Sequence, residues 1–180
     1  MSERVLVFGH SLVRDLNQWM KDTSSDFLSG HQSYIHGKGG RTTELLKRMD
    51  MHVIRRFRPH VVFIQVGGND ITPEASVKDI AENLIELAVE IQQQGVSQVI
   101  IGSVIIRLRP RNMSVSQYDN KRTKINKHLS EKTPQTAGIK FWNHKCFRHN
   151  HLRDGVHLND KGNEAFFFSI RHAMNSVTYV

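Results

Sequence analysis

The sequence predicts an α/β protein in which a parallel sheet is covered by helices on both faces. Three observations carry this: short β-branched apolar runs, helical periodicities between them, and glycine-bounded polar segments directly after several of the runs. Runs of this kind contain almost no polar residue, as strands buried on both faces require.

Taken in order, residues 5–8 (VLVF) form the first predicted strand and lead through Gly9-His10-Ser11 into a helix whose apolar face carries Leu12, Leu16, Trp19 and Met20. A weaker run at 33–36 precedes Gly37-Lys38-Gly39-Gly40-Arg41-Thr42 and a helical pattern with Leu45, Met49 and Ile54 on one side. The run 61–66 (VVFIQV) ends in Gly67-Gly68-Asn69-Asp70, and the next helix, bearing Ile80, Leu84, Leu87, Val89 and Ile91, stops at Gly95. A fourth strand is predicted over 99–106, a helix over 115–132, a fifth strand over 139–142 and a last helix over 160–176 with the cluster Ala165-Phe166-Phe167-Phe168. No repeat, low-complexity tract or Gly/Ser linker interrupts the chain, so one domain is expected over residues 1–180.

Composition narrows the classes. Cys146 is the sole cysteine, so no intrachain disulfide can form and a reduced, intracellular setting is expected. No secretory signal is visible, and no apolar run approaches the roughly 20 residues of a membrane span, which gives a soluble protein. A net charge of +8 suits anionic ligands, nucleic acid or another acidic surface.

In open parallel sheets ligands bind beyond the carboxyl ends of the strands, where strand order reverses. Four segments fit that rule: Gly9-His10-Ser11, Gly37 to Thr42, Gly67 to Asp70, and Asp154-Gly155-Val156-His157 before the last helix. A serine at a helix start is by itself more often a cap, and a Gly-Asn-Asp turn can simply satisfy positive-φ backbone. As a set, the residues have the parts of an acyl-transfer site. Ser11 can attack through its hydroxyl, His157 can take and return the proton, and Asp154, three residues earlier, can orient the imidazole. The Ser11 and Gly40 backbone N–H groups and the Asn69 amide are the candidate donors to a developing oxyanion.

In this order the four segments resemble the SGNH hydrolase family, also called GDSL esterases and lipases, from about residue 5 to residue 173. The resemblance implies a flavodoxin-like, three-layer α/β/α sandwich around a five-stranded parallel sheet of order near 2-1-3-4-5. It also implies hydrolysis of esters, thioesters or acyl groups without a cofactor. Two positions depart from the family pattern. His10 stands where Asp usually precedes the serine, exchanging an acceptor-only carboxylate for an imidazole, and Arg41 stands where Asp is frequent.

Arg107, Arg109 and Arg111 lie just past the fourth predicted strand, and Lys145, Arg148 and Arg153 precede Asp154; with Arg41 they are expected to rim the mouth of the site and to favour an anionic substrate. Residues 108–118 are expected to shape the acyl or leaving-group pocket. The cluster His144, Cys146, His149 and His151 lacks the regular spacing of a structural zinc site, so no metal is assigned. The alternative class is a catalytically weakened binding module for nucleic acid or another acidic polymer, which the charge and His10 favour.

Overall fold

The computed structural model describes residues 2–27 and 29–178. Its sheet is built from β1 (Arg4–Gly9), β2 (Gln32–Gly37), β3 (Val61–Gln65), β4 (Gln98–Gly102) and β5 (Ile139–Trp142), all parallel, in the order β2-β1-β3-β4-β5. Helices α1 (Ser11–Thr23) and α6 (Asp160–Thr178) cover one face. The other is covered by α2 (Thr43–Asp50), α3 (His52–Phe57), α4 (Val77–Gln93) and α5 (Val115–Lys132). Among the described residues no helix is long and apolar enough to cross a membrane.

Alternation along β1 shows why its run is uniformly apolar. Val5 and Val7 pack with Leu12, Leu16 and Phe166, whereas Leu6 and Phe8 pack with Leu46, Ile80 and Leu84. Each strand residue therefore leaves water whichever way it points, which a half-solvated strand would not tolerate in an apolar residue.

Helix starts are capped as their sequences dictate. Ser76 and Ser114 accept from the backbone three residues on, and Ser114 with Gln117 completes a reciprocal capping box. At α1 the capping residue is His10, whose Nδ1 accepts the Leu12 N–H at 3.3 Å. The imidazole thus performs the acceptor task that a carboxylate would perform there.

Two sequence expectations are corrected. The stretch after β2 does not bury Leu45, Met49 and Ile54 together. Leu46 is fully buried, Met49 is exposed, and the helix breaks at Met51, which rotates the apolar face and frees Ile54 to join the core from α3. The predicted strand 99–106 ends at Gly102. Beyond it Ser103 N still donates to Trp142 O at 2.8 Å, and at Val104 Asn126 takes the place of a neighbouring strand, accepting from Val104 N and donating to Val104 O, both at 2.9 Å, so residues 103–105 stay buried past the end of the strand.

A buried polar cluster lies under the ends of β3, β4 and β5. Gln65 donates to Ser103 O at 3.0 Å, and its Oε1 lies 2.9 Å from His144 Nε2, while His144 Nδ1 contacts Ser169 Oγ at 2.7 Å. Every polar atom in this set has a partner, which makes its burial tolerable.

Packing and burial each have a measurable consequence. A Cβ on Gly37 would sit 2.1 Å from the Arg14 backbone nitrogen of α1, so Gly37→Ala must push the helix off the sheet; a loss of about 3 kcal/mol is expected in urea unfolding. The second consequence concerns pH. His10 is pushed down from 6.5 to about 3 by burial, with the Arg107 and His157 charges adding, and His144 to about 3 by burial. Between pH 6.5 and 3 the unfolded chain therefore binds protons that the folded chain refuses. Stability is full above pH 6.5 and falls below it, each histidine approaching about 1.4 kcal/mol per pH unit, until the folded state also protonates near pH 3. Urea midpoints at pH 7 and pH 5 measure the decline, and His10→Asn, which keeps a capping acceptor, should make it shallower.

Candidate active site

The strand order reverses at β1, whose neighbours β2 and β3 lie on opposite sides, so the loops leaving β1 and β3 part above the sheet and open a crevice there. Ser11 is the first residue of α1 and is 9% exposed. A first helical residue has no acceptor for its N–H within the helix, so the Ser11 amide is available at the positive end of α1. The preceding residue is tied across the crevice floor, His10 N donating to Gln65 O at 3.1 Å.

The loop after β2 is anchored by Lys38 N to Gly9 O at 3.1 Å and ends in Thr42, which caps α2. Gly40 within it adopts φ +74, a conformation that glycine enters at no steric cost, and its N–H has no backbone partner among the described residues. Arg41 is held from below: Nε donates to Asp50 Oδ2 at 2.5 Å, and Asp50 Oδ1 also meets His36 Nε2 at 2.9 Å. Asp50 is drawn below the usual carboxylate range: burial, the largest influence, opposes this, but the Arg41 and His36 hydrogen bonds and charges outweigh it.

The loop after β3 fastens to this one at two points. Asp70 accepts the Thr43 N–H on both carboxylate oxygens, at 3.0 and 3.1 Å, and the Asn69 side-chain nitrogen donates to Arg41 O at 2.9 Å. Burial pushes the Asp70 carboxyl up, with the Thr43 bonds opposing. Asn69 is also gripped from the far side, where Arg107 Nη2 donates to its Oδ1 at 2.9 Å.

The fourth segment is a tight turn with Gly155 at φ +84. Asp154 Oδ1 accepts from Val156 N at 2.9 Å and from His157 N at 2.7 Å, and Oδ2 lies 2.7 Å from His157 Nδ1. Burial would raise the Asp154 carboxyl, but these bonds outweigh it and hold it well below the usual range, so it stays ionised and fixes the imidazole with Nε2 facing away from it. The turn is joined to the segment after β4 by Leu108 N and Arg109 N, which both donate to Gly155 O, at 2.7 and 3.2 Å.

All five of Ser11, Gly40, Asn69, Asp154 and His157 line one cleft of about 680 Å³. Among the described residues no hydrogen bond joins the Ser11 hydroxyl to the His157 ring, whose Nδ1 is on Asp154. Arg107, Arg109 and Arg111 line the same cleft, as does Tyr118 at the end of the expected pocket segment. Arg41 is not among the lining residues, its guanidinium being taken by Asp50, so the structure gives that side chain to the loop and not to the cleft wall. Nor do Lys145, Arg148 and Arg153 rim it: Arg153 pairs with Asp15 at 3.1 Å and Lys145 lines a separate groove beside α6. Arg14, Glu74 and the bond from Arg107 to Asn69 went unread in the sequence. None stands in a motif, and only the folded chain brings them to the site.

Around the C-terminal histidines, His144 is taken by Gln65 and Ser169, and the Cys146 thiol contacts Ala165 O at 3.7 Å. Among the described residues no group of three or more His, Cys, Asp or Glu is arranged to hold a metal ion.

The fold has counterparts among solved structures, although no curated protein sequence matches the chain. A GDSL-like lipase from Bacteroides thetaiotaomicron VPI-5482 superposes with a TM-score of 0.74 at 18% identity, covering 97% of this chain and 88% of the other. A mutant acetyl esterase, solved with an acetate ion, gives 0.71 at 16% identity and 98% coverage of both chains. The lipase/acylhydrolase from Enterococcus faecalis gives 0.68 at 17% identity, covering 97% of this chain and 96% of its own. At these identities the superpositions establish the fold, a five-stranded parallel sheet between helical layers. The sequence pattern of one family spans residues 7–165, from β1 into α6, and so takes in all four polar segments that meet at the cleft. On that match the chain belongs to the GDSL-like Lipase/Acylhydrolase family.

Proposed function

We propose that the chain is a serine esterase or acyl hydrolase that cleaves a carboxylic ester or acetyl group through an acyl-enzyme. The observation that carries this is the convergence of Ser11, His157 with its bonded Asp154, Gly40 and Asn69 on one cleft. Ser11 Oγ would attack the carbonyl carbon as its proton passes to His157 Nε2. The negative charge on the carbonyl oxygen would then be met by the Ser11 and Gly40 N–H groups and the Asn69 amide. Collapse expels the alcohol, which takes the proton from His157, and water repeats the sequence on the acyl-serine with the same base.

Three features support the assignment. Asp154 is ionised and bonded to Nδ1, which leaves Nε2 of a neutral imidazole as the acceptor. His10 supplies the cap for α1, so the missing Asp leaves no bare helix start beneath the nucleophile. Asn69 is bound on both its oxygen and its nitrogen, which organises the amide before substrate arrives. An acetyl esterase among the solved neighbours directs the first substrate trials to short acyl groups. The competing class, a binding module for nucleic acid or an acidic polymer, draws on the cleft arginines and the net charge.

A fluorophosphonate probe separates the two. The parent should be labelled covalently and Ser11→Ala should not; no labelling, joined to steeply salt-dependent nucleic-acid binding, would establish the module instead. Among hydrolytic variants, Asn69→Ala should lower kcat on 4-nitrophenyl acetate by about 10²–10³. Because Asp154 holds its charge far into acid, the carboxylate should add no proton to the acid limb of kcat/KM, which should fall with unit slope. A slope of two would show that the carboxylate titrates as well.

A further inference from the structure

The cleft presents four guanidinium groups, Arg14, Arg107, Arg109 and Arg111, against two carboxylates, Glu74 and Asp154. Asp154 is already committed to His157. The four arginines are not equivalent. Arg14 pairs with Asp15 at 2.7 Å, and its charge is engaged on the surface of α1.

Arg107 is fixed inside the protein's own framework. Its guanidinium carbon lies 5.6 Å from the Tyr118 ring centroid, and the Tyr118 hydroxyl donates to Ile105 O at 3.2 Å, which pins the ring. On the other side, a Cβ on Gly68 would come within 2.8 Å of Arg107 Nη2, so the guanidinium rests against bare backbone. From there Nη2 donates to Asn69 Oδ1. A guanidinium has donors only, so it can accept no hydrogen from Asn69 and selects the amide's oxygen. The Asn69 nitrogen is thereby turned the other way, with one hydrogen on Arg41 O and the second left over.

Arg109 and Arg111 differ again. Both are exposed, both line the cleft, and among the described residues neither has a carboxylate within 4 Å. Arg109 is nevertheless placed: its backbone N–H is on Gly155 O, and its side-chain carbons would lie within 2.8 to 3.3 Å of a Cβ on Gly155. Its stem therefore runs along the turn that carries Asp154 and His157, while the charged end has no carboxylate partner among the described residues.

We infer a division of labour among the three: Arg109 and Arg111 form a subsite for an anionic group on the ester, and Arg107 is a positioning residue that orients the Asn69 amide. This rests on the hydrolase reading above and adds the substrate class to it. The recognised chemistry is a carboxylate, phosphate or sulfate oxygen that can take charge-assisted hydrogen bonds from a guanidinium fork.

Two matched ester pairs test it, each corrected for its rate with hydroxide. Mono-4-nitrophenyl succinate against 4-nitrophenyl butyrate places the anion on the acyl side; 4-acetoxybenzoate against its methyl ester places it on the leaving group. At least one anionic member should be favoured in kcat/KM by about tenfold, with the preference shrinking as salt rises. Arg109→Met combined with Arg111→Met, which keeps the apolar stem of Arg109 along the turn, should abolish the preference, the anionic esters falling to the corrected rate of their neutral partners. Inhibition by inorganic phosphate, sulfate and acetate then ranks the group recognised. Arg107→Met should lower kcat on neutral and anionic esters alike, by about 10- to 100-fold, with KM nearly unchanged and part of the loss restored in Arg107→Lys. Neutral esters turned over as fast as anionic ones would overturn the subsite while leaving the hydrolase intact. A loss in Arg107→Met confined to anionic esters would overturn the division of labour. Turnover of none of the four esters, with Ser11 unlabelled by fluorophosphonate, would overturn the hydrolase reading and the subsite with it.

Discussion

The parallel pairing of β1 with β3 is the constraint on which the site depends. Its register sets Gly9 opposite Gln65, and a Cβ on Gly9 would lie 2.0 Å from the Gln65 carbonyl oxygen. Only glycine permits that approach. From the contact the chain leaves β1 directly into His10 and Ser11, and leaves β3 into Gly67, Gly68 and Asn69. The nucleophile candidate and the oxyanion candidate therefore start from neighbouring points. Gly37 makes the equivalent approach beside Arg14 on the other side, bringing the loop with Gly40 to the same end of the sheet. Three glycine-bounded strand ends thus do together what none could do alone.

Above that floor the site is held by polar contacts between loops, in a chain that can be followed atom by atom. Asp50 holds the Arg41 side chain, the Arg41 carbonyl holds the Asn69 nitrogen, Arg107 holds the Asn69 oxygen, and Tyr118 supports Arg107. Asp70 joins the two loops a second time through Thr43. Such a chain fixes the orientation of the Asn69 amide during folding. The fourth segment is held differently. Asp154 and His157 organise each other within one turn, and the turn is hung from Leu108 and Arg109.

Buried histidines are used here as neutral hydrogen-bonding groups. His144 knits the ends of β3 and β5 to α6 through Gln65 and Ser169, and His10 caps the helix beneath Ser11. Burial denies both the proton. At His10 neutrality has a second effect: it keeps an imidazolium away from the fixed charge of the Arg107 guanidinium. The exchange of Asp for His therefore keeps the cap and removes a negative charge from the floor of a cleft lined by four arginines.

Strand and helix identity was legible in the sequence because both faces of the sheet are buried and the helices are amphipathic, so period and composition report them directly. Helix α5 was placed at its observed bounds, and the sheet order agrees with that implied by the family resemblance. The four polar segments were legible too, since each follows a strand or precedes a helix. The failures came where a side chain stands in for backbone or a helix breaks without a Gly or Pro. Asn126 replaces a strand beside Val104, and the break at Met51 turns Leu46 inward in place of Leu45 and Met49. Asp154 and His157, three residues apart, could be paired from the sequence, but the partners of the arginines could not. Arg41 and Arg107 are alike in sequence, yet one is claimed by Asp50 and the other reaches Asn69 and Tyr118, and that choice depends on distances between segments far apart along the chain. Local pattern determined which residues could do chemistry; the packing of distant loops decided which of them face the cleft, because a hydrogen bond needs a partner within about 3 Å and no spacing along a chain records that distance.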